Sequence, residues 1–384
     1  MKNSKVYSVY IVVFVFFYIL SIFITHISNS QYVVTIKDYK DYIDNSKIVL
    51  YISSFILLGL FYKVNKYTFL DLFICVVFLI SYYYSRITIA VFIFFLFVKY
   101  ANFSLVVKTF LFAVSAGIIF VFVTHAFDLY HYSNFEMYRA DGTYRMPLGY
   151  KYPTYFPNIS LFLYLGWVFL RKNKITFLEI TIIGIANYVV YVLTDTRAIY
   201  YLVNLLIFCV VFLKYFRVNY NTAVIGWIFK FSTIYLFLIL AVISIWLNIK
   251  YDSNIPWMNK LNQVLSGRLY YGHKGYIDYG ISLLGQQIDY VSVLDQYDGN
   301  NLFVIDSGYL KVLLDYGIIL FALITFGFIQ VGRRIVSQNE TYFGLVMIIA
   351  LIDISINPHM IQLDFNPFFF ALGYYGLYKD NLFK

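Results

Sequence analysis

The sequence is poor in charged residues and in cysteine. Of its 384 residues, 13% are charged and two are cysteine, whereas 61% are hydrophobic and 22% are aromatic. A soluble globular protein has about a quarter charged residues and about half apolar residues. The composition excludes a soluble globular protein and predicts an integral membrane protein, so length alone does not divide the chain into soluble domains.

Sequence motifs for cofactors are also missing. Cys75 and Cys209 both fall inside apolar runs, so they indicate neither a disulfide framework nor a metal site. The chain has no G-x-x-x-x-G-K-[ST] phosphate loop and no histidine–carboxylate cluster with metal-ligand spacing. We therefore expect no nucleotide, metal or other cofactor.

Apolar runs long enough to cross a bilayer recur along the whole chain. A spanning helix needs about 20 apolar residues, and the first run is too long and uninterrupted for the apolar part of a cleaved signal peptide. The pattern predicts an all-α, polytopic membrane protein with about 12 transmembrane helices in a single transmembrane domain over residues 1–384. The runs lie at 6–28, 47–62, 67–84, 87–100, 105–128, 158–171, 175–193, 198–214, 224–249, 308–331, 342–358 and 366–379. The short runs 47–62, 87–100 and 366–379 leave a re-entrant segment open.

The basic residues indicate the orientation in the membrane. More than half of the 29 lysine and arginine residues lie in or beside the short loops of one face, where acidic residues are few. Short cytoplasmic loops carry an excess of lysine and arginine. The sequence therefore predicts that the N-terminus, the C-terminus and these loops are cytoplasmic. This excess also accounts for the formal net charge of +9, so no nucleic-acid partner is predicted.

Three polar intervals then fall on the extracytoplasmic face. They are a tyrosine-rich loop over 128–157, the short corner Thr194–Arg197, and a large loop over 250–307 between the ninth and tenth spans. Within the large loop, apolar residues recur at helical spacing from Trp257 to Arg268. We expect one amphipathic helix on the membrane surface, with Arg268 near its end.

Each of these intervals carries an arginine, namely Arg145, Arg197 or Arg268. The guanidinium is a rigid fork of donors that matches phosphate oxygens and stays charged at any physiological pH. Arg268, in Ser266-Gly267-Arg268, is the sharpest candidate; the alternative is an arginine that extends from an interfacial helix to lipid headgroups. Nearby basic and tyrosine side chains are candidate substrate ligands, although tyrosine is also typical of membrane interfaces. These candidates are Arg139, Lys151, Tyr152, Tyr270, Tyr271 and Lys274.

Two residues are candidate general bases. Asp306, at the outer end of the tenth span, can accept a proton from an acceptor hydroxyl; alternatively, Asp306 or Ser307 caps the helix that follows. His273 belongs to the side-chain type that titrates near neutral pH. The candidate catalytic set is therefore Arg145, Arg197, Arg268, Asp306 and His273.

Several segments, taken in order over about residues 130 to 330, resemble Wzy-type polysaccharide polymerases of the O-antigen ligase-like superfamily. The C-terminal segments are Leu265–Arg268, the glycine-bearing strip Gly280–Gly285, and Val304–Gly317, which contains an Asp followed by Tyr-Leu and a span with glycine. Arg145–Pro153 and Thr194–Arg197 fit the same group. The glycine spacing after the loop arginines departs from the pattern that some members have.

The resemblance implies a glycosyltransferase-type polymerase in the bacterial cytoplasmic membrane. It would join undecaprenyl-diphosphate-linked oligosaccharide repeats at the outer leaflet, for capsule, exopolysaccharide or O-antigen, among membrane lipids and beside a flippase and a chain-length regulator of the same pathway. Two alternatives stay open. One is an O-antigen ligase, whose loop signature the residues after His273 do not reproduce. The other is a lipid-linked oligosaccharide flippase, which is expected to show repeat symmetry and polar groups near the midplane.

Overall fold

The computed structural model describes residues 4–31, 37–62, 64, 68–85, 89–128, 137–138, 142–291 and 302–376, and this part of the chain is mostly helical. Five helices come first: α1 (Ser4–Ser28), α2 (Lys37–Gly59), α3 (Thr68–Ser85), α4 (Ile89–Val98) and α5 (Phe103–Ala126). A small antiparallel pair follows, β1 (Met137–Tyr138) and β2 (Tyr144–Arg145). The later helices are α6 (Tyr155–Arg171), α7 (Phe177–Thr194), α8 (Arg197–Phe216), α9 (Ala223–Ile249), α10 (Pro256–Val264), α11 (Arg268–Tyr279), α12 (Gly308–Ser337) and α13 (Thr341–Ile354).

Among the described residues, seven helices are long and apolar enough to cross a membrane: α1, α3, α5, α7, α8, α9 and α12. The shortest of them, α3 and α7, have 18 residues each. At the α-helical rise this gives about 27 Å, close to the thickness of the hydrocarbon core of a bilayer. Large apolar side chains such as Phe112, Phe208 and Trp227 are exposed on these helices, as surfaces that face lipid require.

The other predicted spans form shorter or more polar helices. α2 starts ten residues before the predicted run at 47–62 and carries charged residues through its first half. α4 has ten residues, about 15 Å, and is buried on all sides from Ala90 to Val98. This length reaches about halfway across a bilayer, as a re-entrant segment does. α6 and α13 have 17 and 14 residues.

The last predicted span, 366–379, is not a long helix over its described residues. It consists of a 3₁₀ turn, Pro367–Phe370, and a π turn, Leu372–Gly376. Asn366 starts the first turn, because its side chain accepts a hydrogen bond from the amide of Phe368 at 3.1 Å. These turns are apolar because they are buried against the helices and not because they span a bilayer.

Two helices organise the C-terminal half of the bundle. α9 and α12 pack closely over much of their length, and a Cβ on Gly332 of α12 would lie 2.3 Å from the carbonyl oxygen of Thr233 on α9. α13 packs against α6, α8, α9 and α12. α8 and α12 are therefore both in contact with α13.

The helix ends define two faces of the bundle. The loop face carries the segments 142–154, 250–291 and 302–307, which lie near the ends of α1, α7 and α9 through hydrogen bonds such as Gln31 N to Gly149 O and Met146 N to Leu193 O. The short-turn face carries the turns 172–176, 217–222 and 338–340. The three predicted extracytoplasmic arginines all lie on the loop face.

α12 is broken at Gly317, whose backbone has φ 80° and ψ 172°. The break releases amide groups that helix geometry would otherwise have used, and such groups need partners inside a membrane. The amide of Ile318 donates to the carbonyl of Ser282 at 3.0 Å, and the amide of Ile319 donates to the carbonyl of Leu283 at 3.2 Å. A strip of the large loop therefore replaces the missing helical partners.

The same strip, residues 282–286, also bonds on the other side of the break. The amide of Gln286 donates to the carbonyl of Asp315 at 2.9 Å. A Cβ on Gly317 would lie 2.5 Å from the amide nitrogen of Gly285, and a Cβ on Gly285 would lie 2.5 Å from the carbonyl oxygen of Asp315. The two backbones approach closely because both contact points are glycine.

Candidate functional site

The polar segment around Arg268 forms two helices joined by a tight turn. α10 ends at Val264 and α11 begins at Arg268. Between them, Ser266 and Gly267 both have positive φ, 57° and 85°. The expectation of one helix with Arg268 near its end is wrong, because two positive-φ residues break the helix and Arg268 begins the second one. The turn is closed by a hydrogen bond from the amide of Gly267 to the carbonyl of Asn262 at 2.8 Å.

Arg268 is paired with Asp306. The guanidinium Nε donates to the Oδ2 of Asp306 at 3.0 Å, and the two side chains are 25% and 33% exposed. Asp306 is therefore not the cap of α12. Ser307 is the cap, since its Oγ accepts from the amide of Leu310 at 3.3 Å. The carboxylate of Asp306 is therefore partly exposed at the loop face, where its partner is the guanidinium of Arg268.

A mainly apolar cavity of about 150 Å³ adjoins Arg268. One part of its wall is apolar and includes Leu240, Ile243 and Leu247 of α9. Ile243 is 49% exposed, so the cavity adjoins the lipid-facing side of α9. The polar residues in its lining, which expose little polar surface to it, are Ser244, Asn248, Arg268, Ser307 and Ser355.

Two polar atoms of this wall are buried without a hydrogen-bond partner among the described residues. They are the Oδ1 of Asn248 and the Oγ of Ser355. The Asn248 Nδ2, in contrast, donates to the carbonyl of Ser244 at 2.7 Å, and the hydroxyls of Ser244 and Ser307 bond at 2.7 Å. Buried polar atoms are rarely left without partners. The Asn248 Oδ1 lies against Gly272 of α11, where an added Cβ would be 1.9 Å from it. The hydroxyl of Ser355 and the guanidinium of Arg268 are the groups at this cavity that can donate to an anion.

A second ion pair, Lys311 with Asp315, lies in the first two turns of α12. The ammonium of Lys311 pairs with the Oδ2 of Asp315 at 3.0 Å and lies 3.3 Å from the ring centroid of Tyr290. Tyr290 donates its hydroxyl to the Oδ1 of Asp315 at 2.5 Å. Burial and the carboxylate of Asp315 raise the pKa of Tyr290. The candidate set lacked Lys311 and Tyr290; the i, i+4 spacing of Lys311 and Asp315 was the available signal.

Two further titratable residues lie near Arg268 and were also absent from the candidate set. Asp353, at the end of α13, is fully buried, accepts from the Nδ2 of Asn357 at 2.6 Å, and lies within electrostatic reach of Arg268. His359 bonds to Gln362 at 2.7 Å and stacks on Phe365. Burial, with a smaller contribution from the charge of Arg268, lowers the pKa of His359 to about 4. Its ring is therefore neutral at physiological pH.

His273 serves a different contact. Its Nδ1 lies 3.1 Å from the carbonyl oxygens of both Asn248 and Ile249 at the end of α9. Because both neighbours are acceptors, the proton is on Nδ1, and Nε2 carries the lone pair when the ring is neutral. His273 and Arg268 are five residues apart, about 140° around α11. His273 therefore anchors α11 to α9 and is on another side of α11 from Arg268.

Arg145 and Arg197 lie together at the corner between α7 and α8. Arg145 donates its Nε to the carbonyl of Thr194 at 2.8 Å and its Nη2 to the hydroxyl of Thr196 at 3.2 Å. Arg197 pairs with Asp195 at 3.3 Å and its side chain is 52% exposed. Asp195 has a positive φ of 45° at the end of α7. Arg145 therefore fixes the corner that presents Arg197.

The predicted substrate ligands fall into separate places. Lys151 is half-buried, and burial, together with the charges of Lys47 and Lys40, lowers its pKa to about 8. Tyr152 is next to it and is half-buried. On α11, Tyr270 is exposed, Tyr271 packs against an apolar cluster of the large loop, and the ammonium of Lys274 lies 5.4 Å from the ring centroid of Phe303. Arg139 lies outside the described residues.

The candidate residues thus form two groups on the loop face. One contains Arg268 with Asp306, and the other contains Arg145 with Arg197. α13 packs against α8, which begins at Arg197, and against α12, which begins just after Asp306. Convergence of the two groups on one diphosphate stays a prediction. Within the described ranges, no group of three or more His, Cys, Asp or Glu side chains is placed to hold a metal ion.

The fold defines the class of the protein: it is a helical, multi-pass membrane protein. Comparison with protein-family models, with curated proteins and with solved structures finds no match to this chain. The function must therefore be inferred from the site itself.

Proposed function

We propose that the chain is a polysaccharide polymerase that joins undecaprenyl-diphosphate-linked oligosaccharide repeats at the outer leaflet of the bacterial cytoplasmic membrane. The observation that carries the proposal is the position of Arg268. Its guanidinium borders a mainly apolar cavity against α9, with Ser307 and Ser355 also in the lining. A lipid-linked diphosphate likewise combines an apolar chain with an anionic head.

The cavity volume indicates that the diphosphate and the polyprenyl chain of the lipid-linked glycan would bind in different places. About 150 Å³ is enough for a diphosphate-sized group and too small for a polyprenyl chain. The chain would run along the lipid-facing side of α9, where Val242 and Trp246 are 59% and 50% exposed. The diphosphate would then lie between Arg268, the hydroxyl of Ser355 and the polar end of α9. Arg197 is a further donor in this proposal, with Arg145 as its support.

The chemistry requires a leaving group and a proton acceptor. A hydroxyl of one lipid-linked glycan attacks the anomeric carbon of another, the bond from that carbon to the diphosphate oxygen breaks, and undecaprenyl diphosphate leaves. Arg268 stabilises the charge that develops on the diphosphate. When Arg268 turns to the diphosphate, Asp306 loses its ion pair, and its carboxylate accepts the proton of the attacking hydroxyl. Asp306 is favoured over His273 because it is the residue in contact with Arg268.

The test is replacement of Arg268 by Ala and by Lys in a strain that lacks the gene, with the polysaccharide resolved by chain length on a gel. Loss of one positioned donor lowers such rates by about 10²–10³, so Arg268→Ala should leave almost only single repeats. Lys keeps the charge but loses the fork of donors, so Arg268→Lys should give fewer and shorter chains. Arg333→Ala, an exposed arginine at the other end of α12, is the matched control and should give normal chains.

A normal ladder from well-expressed Arg268→Ala would remove Arg268 from the mechanism. The lipid intermediates separate the alternatives. Single repeats on lipid accumulate outside the membrane when a polymerase is lost, and inside when a flippase is lost. Polymer that is made but not attached indicates a ligase.

A further inference from the structure

A large polar cavity lies on the short-turn face, at the opposite ends of α8 and α13 from Arg197 and Asp353. Its volume is about 520 Å³. Its wall comes from the ends of α6, α8 and α12 and the start of α13, and includes Lys172, Lys214, Arg217, Asn339, Glu340 and Tyr342. Three basic residues against one acidic residue give the wall an excess of positive charge.

Two of the three cations already have partners. Lys172 pairs with Glu340 at 2.6 Å, and Lys214 donates to the carbonyl of Ile175. Within the described part of the chain, Arg217 has neither an ion pair nor a hydrogen bond from its guanidinium, and it is exposed. The two lysines are therefore held in place by contacts within the protein, and the guanidinium of Arg217 is the cation left to bind a ligand.

A simpler explanation of these cations is that they offset the dipoles of the helices they follow. Lys172 and Arg217 cap the ends of α6 and α8, where positive side chains interact favourably with the helix dipole. That explanation does not account for the cavity. A water molecule occupies about 30 Å³ in the liquid, so a space of about 520 Å³ is in the range of a small-molecule site.

The depth of the cavity in the membrane is given by the aromatic residues near it. Phe177, Tyr215, Phe216 and Trp227 belong to helix ends on the same face and are 60% to 75% exposed. Tyrosine and tryptophan at spanning-helix ends mark the level of lipid headgroups. A ligand at this level that pairs with the guanidinium of Arg217, beside two further cations, is an anionic lipid headgroup and not a soluble metabolite.

We infer that this cavity binds the phosphate of an anionic phospholipid in the leaflet opposite to the candidate site. Basic pockets between spanning helices are suited to such headgroups. Arg217 forms the direct contact with the phosphate, and Lys172 and Lys214 hold the walls and add charge. The bound lipid joins the ends of α6 and α8 to the turn between α12 and α13. The inference does not depend on the enzymatic proposal.

The test is native mass spectrometry of the full-length chain, purified in mild detergent and titrated with phosphatidylglycerol, with phosphatidylcholine or with inorganic phosphate. The variant is Arg217→Asn, because Arg217 has a positive φ of 48°, which asparagine tolerates. Lys230→Gln is the matched control, since Lys230 is an exposed cation at the same face outside the cavity. Melting curves of each variant verify that it is folded.

Wild type and Lys230→Gln should retain one phosphatidylglycerol more tightly than phosphatidylcholine. Arg217→Asn should bind that lipid about fivefold more weakly, the effect of one cation near a lipid surface. Equal retention by folded Arg217→Asn overturns the site. Equal retention of phosphatidylcholine overturns the requirement for an anionic lipid. Saturable binding of inorganic phosphate that depends on Arg217 overturns the lipid as the source of the phosphate.

Discussion

Replacing Gly317 by Ala tests whether the strip 282–286 determines the structure of α12. The glycine has φ 80° and ψ 172°, a region that is open almost only to glycine. An added Cβ would lie 2.5 Å from the amide nitrogen of Gly285 and 2.6 Å from the carbonyl oxygen of Leu283. Both are backbone atoms, so no side chain can rotate away to relieve the clash.

The expected loss of stability has two parts. Backbone strain at such a position costs about 1–3 kcal/mol. If the strip moves away to relieve the clash, the three hydrogen bonds from Gln286, Ile318 and Ile319 are lost; each is worth about 0.5–1.5 kcal/mol. We therefore expect Gly317→Ala to lower the free energy of unfolding by about 3 kcal/mol or more, which is large for a single substitution.

The assay is thermal unfolding in detergent, combined with hydrogen exchange of the peptide that contains Ile318 and Ile319. Gly184→Ala in α7 is the matched control, because its Cβ would meet only Ile207 Cδ1, at 3.6 Å, and its backbone is helical. Gly184→Ala should melt as wild type does, whereas Gly317→Ala should melt lower and exchange faster at Ile318. Unchanged melting and unchanged exchange in Gly317→Ala would refute the reasoning.

Two further predictions concern buried ionisable groups. Burial raises the pKa of Asp364 from 3.8 to about 6, so the folded state holds this proton more tightly than the unfolded state. The contribution of Asp364 to the free energy of unfolding is fully present below pH 3.8. It falls by about 3 kcal/mol as the pH rises from 3.8 to 6. Asp364→Asn keeps an acceptor for the hydroxyl of Tyr155 and should remove that fall from melting curves; an unchanged pH dependence would contradict this. Lys99 forms a buried ion pair with Asp71, so Lys99→Met alone should cost about 3–5 kcal/mol. Adding Asp71→Asn removes the unpaired carboxylate and should restore most of the lost free energy of unfolding. A double variant as unstable as the single one would show that an unpaired charge is not the cause.

Hydropathy predicted the long helices because a helix in contact with lipid must be apolar along its whole length. The seven long helices all coincide with predicted runs. The same signal cannot separate a span from a buried segment, because both are apolar. α4 and the turns after Asn366 are buried inside the protein, so their hydropathy reflects packing and not passage through a bilayer.

Helical spacing gave the wrong connection between Trp257 and Arg268. Both residues are helical, and they lie about three turns apart in register, yet two positive-φ residues separate their helices. The Ser266-Gly267 dipeptide is itself typical of a turn. It was the available signal that a break preceded Arg268.

The chemistry at each position was more predictable than the contacts between positions. Arg268 and Asp306 were both identified as candidates, but they are 38 residues apart in the chain, and no spacing rule relates residues across such a loop. The partners of Arg145 illustrate the same limit, since they are the backbone of Thr194 and the side chain of Thr196. A cavity formed by α9, α11, α12 and the end of α13 has no signature in any one segment.

Two glycines fix the loop that connects Arg268 to Asp306. Arg268 begins α11, and the large loop then continues into the strip 282–286. The strip is bonded to α12 on both sides of Gly317, and Asp306 lies just before the start of the same helix. The loop between Arg268 and Asp306 is therefore fixed to α12 where Gly285 meets Gly317. Glycine is required at that closure because backbone atoms from two segments occupy the space that a Cβ would need.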